Sequence, residues 1–350
     1  MKVQNGTLAV NRNGVHLLNG NGVTTLCNSS GDVSQALTGY QYTIQTTTQI
    51  MAQVIKQKFY EVPFADYIPV AVGNGAGLES IRTNLEYIVA GDFSNGYINN
   101  ASGDSRTPTV DIAIGNKNAV IKTWRGAYKY TVIETMKAAA AINYDAVSGK
   151  MGALKKIWDL GIQKMAFLGE LSDLSNVPGL LNNSDITIDA GVTIPKAISN
   201  MDPTEFSTFV SLWVAAYFAN SNRTVRPNTA VLPMYDFLGL QNPVSPTYPM
   251  ITKMDYLQNA LDKACQAKVE IIPSAYAEKA VNAGYTSTLG NDRYVLYRKE
   301  AETLRLDIPI DFTLLAPGTQ NNFDWSGIAY GQHTGCVVYR PREVMYFDLP

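Results

Sequence analysis

The longest regular run of apolar positions lies near the middle of the chain, where Val147, Met151, Leu154, Trp158, Ile162 and Met165 recur at steps of three and four. Steps of that size put all six side chains on one face of a helix, which turns once in about 3.6 residues. Lys150, Lys155, Lys156, Asp159 and Gln163 fall on the other side. A preceding helical run, Thr131 to Ala141, joins it through residues 142–145. Together they predict a helical element of roughly 25 to 38 residues, about 40 to 57 Å long, which is long for a small globular lobe.

Ahead of this helix the pattern changes. Residues 1–50 carry only Lys2, Arg12 and Asp32 as charges and hold four Asn-Gly pairs, which reads as an arm and not as a core. Leu8–Val10 and Val15–Leu17 flank Asn13-Gly14 and predict a small hairpin, because Asn and Gly tolerate the positive φ that tight turns need. From Thr46, Ile50, Met51, Val54, Ile55 and Phe59 follow helical spacing until Pro63 stops it. Between Pro69 and Trp124 come short β-like runs, among them Thr83–Val89, the alternating Val110, Ile112 and Ile114, and Val120–Trp124 after a turn predicted at Gly115-Asn116-Lys117-Asn118. Four β segments with so little apolar mass predict a protruding loop that needs a partner surface.

The C-terminal half alternates helices and strands. Asp202-Pro203-Thr204-Glu205 supplies an N-cap, a proline at the first helical position and a Glu three residues on, and Phe206, Phe209, Val210, Trp213 and Tyr217 make the buried stripe that follows. A strand at Thr229–Leu232, a helix from Lys253 to Cys265 with Met254, Leu257 and Leu261 inward, and strands at Val269–Ile272 and Tyr294–Tyr297 complete a compact α/β lobe. Ile308–Leu315 and Cys336–Phe347 are strand-like and are expected to return to the long helix.

Composition narrows the functions. A chain of 350 residues exceeds the size at which single cores stop growing, so two or three lobes are expected. With 28 basic and 30 acidic side chains there is no field to hold nucleic acid tightly. Cys27, Cys265 and Cys336 are odd in number and widely spaced, which supports neither a disulfide framework nor a zinc ribbon and fits idle thiols in a reducing cytoplasm. No run of 18 apolar residues occurs, and the first 30 residues lack the order of a signal peptide.

The order of parts, and several local phrases, resemble the major capsid proteins of tailed bacteriophages, the Hong Kong 97 type of shell fold, from about residue 46 to the end. The phrases are Phe59-Tyr60-Glu61 leading to Tyr67-Ile68-Pro69-Val70, then Thr107-Pro108-Thr109-Val110-Asp111-Ile112, and Trp124-Arg125-Gly126-Ala127-Tyr128-Lys129-Tyr130-Thr131 before the helix. After it come Phe167-Leu168-Gly169, Pro178-Gly179-Leu180-Leu181-Asn182, and Gly335 with Val337-Val338-Tyr339-Arg340-Pro341. The resemblance implies an α+β, Hong Kong 97-like capsid fold: an N-terminal arm at 1–60, an extended β-loop at 61–125, a peripheral domain with a spine helix at 126–200, an axial α/β domain at 201–305, and strands returning to the peripheral domain at 306–350.

It implies further a structural subunit, not an enzyme, that assembles through pentamers and hexamers into an icosahedral head around double-stranded DNA. Portal, scaffold or decoration proteins are the implied partners, DNA contacts are weak and non-specific, and no membrane is involved. The implied place is the virion, after assembly in the host cytoplasm. Many relatives carry a cleaved scaffolding segment ahead of the arm, whereas here the arm begins at Met1, so a scaffold is expected to be separate or unneeded. An encapsulin-type nanocompartment is the alternative on the same fold; a soluble hydrolase or carbohydrate-binding protein is the alternative of another class.

A search for catalytic chemistry yields no catalytic, cofactor-binding or metal residues. The two histidines, His16 and His333, stand in unrelated contexts, and no H-E-x-x-H, Cys-His dyad or G-x-S-x-G occurs. Gly73-Asn74-Gly75-Ala76-Gly77 lacks the Lys-Ser/Thr of a phosphate loop and reads as a turn. Asp311 and Asp324 beside Trp325 offer a carboxylate pair whose separation the sequence does not fix. Lys150, Lys155, Lys156 and Lys164 form a basic cluster that suits either a solvated helix face or an inner wall facing DNA.

Overall fold

The computed structural model describes residues 8–11, 14–18, 24–28, 58–73, 75–90, 109–142, 146–191, 193–245, 247–282, 291–319, 321 and 323–349. The chain divides into two units, residues 1–59 with 137–144 and residues 60–136 with 145–350. In the first, β1 (Leu8–Asn11), β2 (Gly14–Leu18) and β3 (Thr24–Asn28) form an antiparallel sheet in that order. Asn11 pairs with Gly14, so the hairpin expected at Asn13-Gly14 is present, and β3 adds a strand that the pattern did not predict. The helix expected from Thr46 lies, up to residue 57, outside the described residues.

The second unit begins with β4 (Val70–Val72), followed by a long hairpin of β5 (Ser80–Ala90) and β6 (Asp111–Thr131). The turn expected at Gly115–Asn118 does not form: β6 runs unbroken through it, with Leu85 opposite Gly115 and Asn84 opposite Asn116. Cross-strand pairing overrides the turn preference of Gly and Asn. A Cβ on Gly115 would lie 2.8 Å from the Tyr87 ring, so the glycine seats that ring. The β runs expected at Val110–Ile114 and Val120–Trp124 are therefore one strand, and β6 continues across the boundary placed at 125/126 to pair, over residues 121–131, with a strand near the C-terminus.

The helical region consists of α1 (Val132–Ile142) and α2 (Ala146–Leu168), with residues 143–145 outside the described set. The 23 residues of α2 span about 35 Å. Leu154, Trp158 and Ile162 are buried and Val147, Met151 and Met165 half-buried, as the spacing predicts. Gln163 departs from the expected polar face, because it is buried and fully engaged. Its Nε2 donates to the Tyr60 carbonyl (3.1 Å) and the Tyr276 hydroxyl (2.9 Å), while its Oε1 accepts from the Val62 amide (2.9 Å).

At its C-terminus α2 ends on Gly169, whose φ of +76° is costly for other residues. A Cβ there would meet the Val177 carbonyl oxygen at 2.5 Å, one on Gly179 would meet the Gly169 nitrogen at 2.5 Å, and one on Gly335 would meet the Pro178 oxygen at 2.4 Å. Two neighbouring segments and one more than 150 residues away thus cross backbone to backbone, and the Cys336 amide donates to the Pro178 carbonyl at 2.7 Å.

Next come β7 (Thr187–Ala190), α3 (Pro203–Asn220), β8 (Thr229–Pro233), α4 (Met234–Gly239), β9 (Pro243–Ser245), β10 (Tyr248–Thr252), α5 (Lys253–Cys265), β11 (Glu270–Ser274), α6 (Lys279–Asn282) and β12 (Arg293–Tyr297). The capping box at Asp202 forms as expected and the five stripe residues of α3 are buried. After β13 (Leu304–Ile308), β14 (Ile310–Leu314) and β15 (Gly318–Thr319) the chain ends with β16 (Asp324–Thr334), β17 (Cys336–Val338) and β18 (Val344–Asp348). The lobe's sheet has the order β11-β8-β12-β18-β7, so two of its five strands, β7 and β18, come from outside 201–305.

This sheet divides two cores by simple alternation. Val295, Tyr297, Val344 and Tyr346 face a core shared with Trp158, Ile162 and Phe167 of α2, while Tyr294, Leu296, Met345 and Phe347 face one shared with α3 and α5. Cys336–Phe347 is therefore two strands in two different sheets, and Val338, Val344 and Tyr346 meet the long helix as expected. Trp158 packs on Trp124 at 5.3 Å between ring centroids, and its ring occupies the space that a Cβ on Gly331 would need. Trp158→Ala is expected to cost about 3 to 5 kcal/mol through the cavity it leaves. Lys155→Ala, on the exposed side of α2, should stay within about 0.5 kcal/mol; urea titrations giving equal losses at the two sites would contradict this packing.

Candidate assembly interface

Two buried clamps fix rigid platforms in the second unit, which also leaves several large apolar side chains uncovered. One platform is fixed by a buried clamp at the end of β12 and β18. Arg293 Nε and Nη2 donate to the two oxygens of Asp348 at 2.6 Å each, and Nη1 donates to the Leu181 carbonyl at 2.6 Å. The guanidinium lies 4.4 Å from the Tyr346 ring centroid. A second clamp centres on Asp236, which is fully buried and accepts from the Ile198 and Ser199 amides (3.0 and 2.8 Å) and from the Tyr294 hydroxyl (2.7 Å). None of Arg293, Asp348 and Asp236 stood out in the sequence analysis, because Arg293 before the apolar run Tyr294–Tyr297 and Asp348 after Phe347 look locally like the charges that bound any strand.

Against these platforms stand large apolar side chains with no cover. Val110, Ile112 and Ile114 are 70%, 51% and 70% exposed, and the alternation puts them on one face of the β-loop. Ile81 and Leu85 instead pack on Ala119, Val337 and Tyr339. On the lobe, Leu238 of α4 and Met250 and Ile251 of β10 are exposed, Met250 at 92%. A run of uncovered apolar residues of this kind marks an interaction surface.

The candidate chemical residues are used structurally or lie far apart. Asp311 Oδ1 accepts from Trp158 Nε1 (3.3 Å) and the Phe312 amide (2.7 Å), whereas Asp324 is engaged with Asn321. Asp311 follows the residue paired with Gln332, so along β16 it sits about seven residues, roughly 23 Å, from Asp324. Glycosidic carboxylates stand about 5 to 9.5 Å apart. Lys150 pairs with Glu134 at 2.6 Å and Lys156 with Glu61, so these two members of the basic cluster are committed within the subunit. Gly73, Gly75 and Gly77 all have positive φ, as a turn requires. Among the described residues no group of three His, Cys, Asp or Glu side chains is placed to hold a metal ion, and no helix is long and apolar enough to cross a membrane. Cys265 and Cys336 are buried free thiols; Cys27 and His16 have side chains outside the described residues.

His333 is buried edge-on to Trp158, with ring centroids 6.2 Å apart, opposite Lys122, which is tied to Asp173 at 2.7 Å. Burial holds its imidazole below the ordinary histidine range, outweighing the opposing pull of Glu170. A depressed folded value means that the unfolded chain takes up the proton first, so this contribution is present above about pH 6.5 and is lost as pH falls below it. Urea midpoints of the wild type should therefore fall faster between pH 7 and pH 5 than those of His333→Gln; parallel curves would count against a neutral buried imidazole.

Comparisons with known proteins give the family and the fold. The family model described as major capsid protein matches residues 96–349. No curated protein sequence matches the chain. Among solved structures, the capsid of Myoviridae phage XM1 superposes with a TM-score of 0.71 at 13% identity, covering 87% of this chain and 98% of that one. The capsid of cyanophage P-SCSP1u gives 0.53 at 10% identity over 88% and 94%, and a structure from Mycobacterium phage Ogopogo gives 0.53 at 12% over 89% and 99%. These likenesses establish a mixed α+β capsid fold, and with the family match they identify the chain as a member of the major capsid protein family, a structural subunit that associates with copies of itself to form the head shell of a phage virion.

Proposed function

We propose that the subunit joins rings of five and six copies that close into an icosahedral shell around double-stranded DNA. The observation that carries this reading is β6, which is anchored at one end beneath α2 and at the other carries the uncovered Ile112 and Ile114, with Val110 uncovered just ahead of it. Such a strand transmits load from a packed core to a contact outside the subunit. In domain terms, residues 1–60 are the arm, 61–125 the extended loop, 126–200 the peripheral domain with α2 as spine, 201–305 the axial domain, and 306–350 the returning strands, of which β18 lies between β12 of the axial part and β7 of the peripheral part.

Assembly takes place in the host cytoplasm, with a portal and scaffold or decoration proteins as partners. A near-neutral chain, 28 basic against 30 acidic groups, suits a shell that DNA is driven into and touches weakly. Cryo-electron microscopy of particles from infected cells, with nuclease treatment before DNA extraction, tests both halves. Five- and six-membered rings and protected double-stranded DNA are expected; particles filled with protein and free of DNA would favour a nanocompartment instead.

A further inference from the structure

A poorly satisfied charge lies beneath the root of the β5–β6 hairpin. Asp307 of β13 is fully buried, yet among the described residues neither of its carboxylate oxygens accepts a well-formed hydrogen bond. Its ion-pair partner is Arg305, two positions back and so on the same face of the strand, whose Nε lies 2.9 Å from Oδ1 but is not aligned to donate to it. A buried carboxylate held by attraction alone is costly. Burial pushes its pKa up from the usual aspartate value, and the Arg305 charge opposes this only in part.

Arg305 also touches what seats the hairpin. Its guanidinium lies 5.5 Å over the Tyr339 ring and Nη2 donates to the Tyr339 hydroxyl at 3.3 Å, while Tyr339 and Val337 share a small core with Ile81 and Leu85 of β5 and Ala119 of β6. The backbone beside Asp307 leads to the same place. Asp307 pairs with Ala71 of β4, and from Val72 the chain reaches β5 at Ser80 by way of Gly73, Gly75 and Gly77, all at positive φ. Glycines accept a wide range of φ and ψ, so this connection accommodates a change at the root.

The other elements around Asp307 bring no second charge to it among the described residues. β4 contributes Val70, Ala71 and Val72, and β17 contributes Cys336 and Val337. Thr334 of β16 bonds to the Asp307 backbone through its hydroxyl, and His333 beside it faces Trp158. We propose that Asp307 and Arg305 form a proton-operated latch: while Asp307 is ionised, Arg305 is held against Tyr339 and the hairpin root is fixed, and protonation of Asp307 releases Arg305 toward the cleft that it lines with Glu86 and Glu302, so that the root loosens. The latch belongs to the single subunit and stands apart from the shell reading.

Hydrogen exchange on dissociated subunits tests this, read as the protection of residues 80–88 and 115–121 after correction for the pH dependence of exchange itself. In the wild type, protection there should fall roughly tenfold between about pH 7.5 and pH 5, the scale of one hydrogen bond to a charge, while that of α3 is unchanged. Asp307→Asn, neutral at both pH values, should show the low protection at both. Equal wild-type protection at the two pH values overturns the proposal, and so does a variant that keeps the wild-type response, which would assign that response to His333 or another group. Where Asp307→Asn lacks the wild-type circular dichroism, Arg305→Gln is read in its place: low protection at both pH values is expected, and wild-type behaviour overturns the latch.

Discussion

Arg293→Ala is expected to destabilise the dissociated subunit by about 3 to 5 kcal/mol, as much as Trp158→Ala, because it leaves the buried Asp348 carboxylate without its partner. The loss would not stop at the ion pair. Leu181 would lose a donor to its carbonyl, and Tyr346, whose hydroxyl donates to the Leu180 carbonyl at 2.5 Å, would lose the guanidinium stacked on its ring. Arg293→Lys should recover little, since an ammonium group makes neither the two parallel bonds nor the stacking. Arg298→Ala, which breaks a half-exposed pair with Glu300, should cost at most about 1 kcal/mol. Guanidinium titration of the three variants provides the check, and an Arg293→Ala loss no larger than that of Arg298→Ala would show that the clamp does not hold β12 to β18.

The second large effect falls on assembly and not on folding. Replacing residues 86–114 with a short Gly-Ser linker removes Val110, Ile112 and Ile114 but spares Ile81, Leu85 and Ala119, which pack on Val337 and Tyr339. The packing of Ile81 and Leu85 argues against a wider excision of 74–118, because that cut would open a small core. Circular dichroism and the urea midpoint of the shortened subunit should stay near wild type, while particle yield falls to background. Failure to fold would place the loop in a subunit core; normal particles would mean that its apolar stripe contacts no neighbour.

Elements whose signals are local were legible in the sequence. The caps and stripe of α3, the bounds of α5 and the buried face of α2 each depend on residues within two or three turns of one another, and all three are observed. The β1–β2 hairpin was legible for the same reason. Long-range pairing was not. Gly115-Asn116-Lys117-Asn118 looks like a turn in every local respect, yet eleven residues of β5 across the ladder hold it straight. The place of β18 between β12 and β7 depends on partners some 50 and 160 positions away, and no period in Val344–Asp348 announces them.

The assembly surface was half legible. Alternation at Val110, Ile112 and Ile114 marked a face without showing that it lacks a cover, and the exposed Met250 stands in a stretch that gave no pattern. Arg293, Asp348 and Asp236 were invisible because a buried charge differs from a surface one only in what surrounds it. The phrases around Gly169, Gly179 and Gly335, by contrast, carried a resemblance whose physical cause is now plain: the three glycines meet where backbones cross too closely for any side chain.

The central claim, that this chain builds a closed shell with copies of itself, is tested most directly by the mass of the purified protein in solution. Mass photometry and electron microscopy across a wide range of protein concentration and salt, with and without scaffold protein, are expected to show capsomer-sized rings and closed particles. A species that stays at the 38.2 kDa of one chain under every condition would contradict the account.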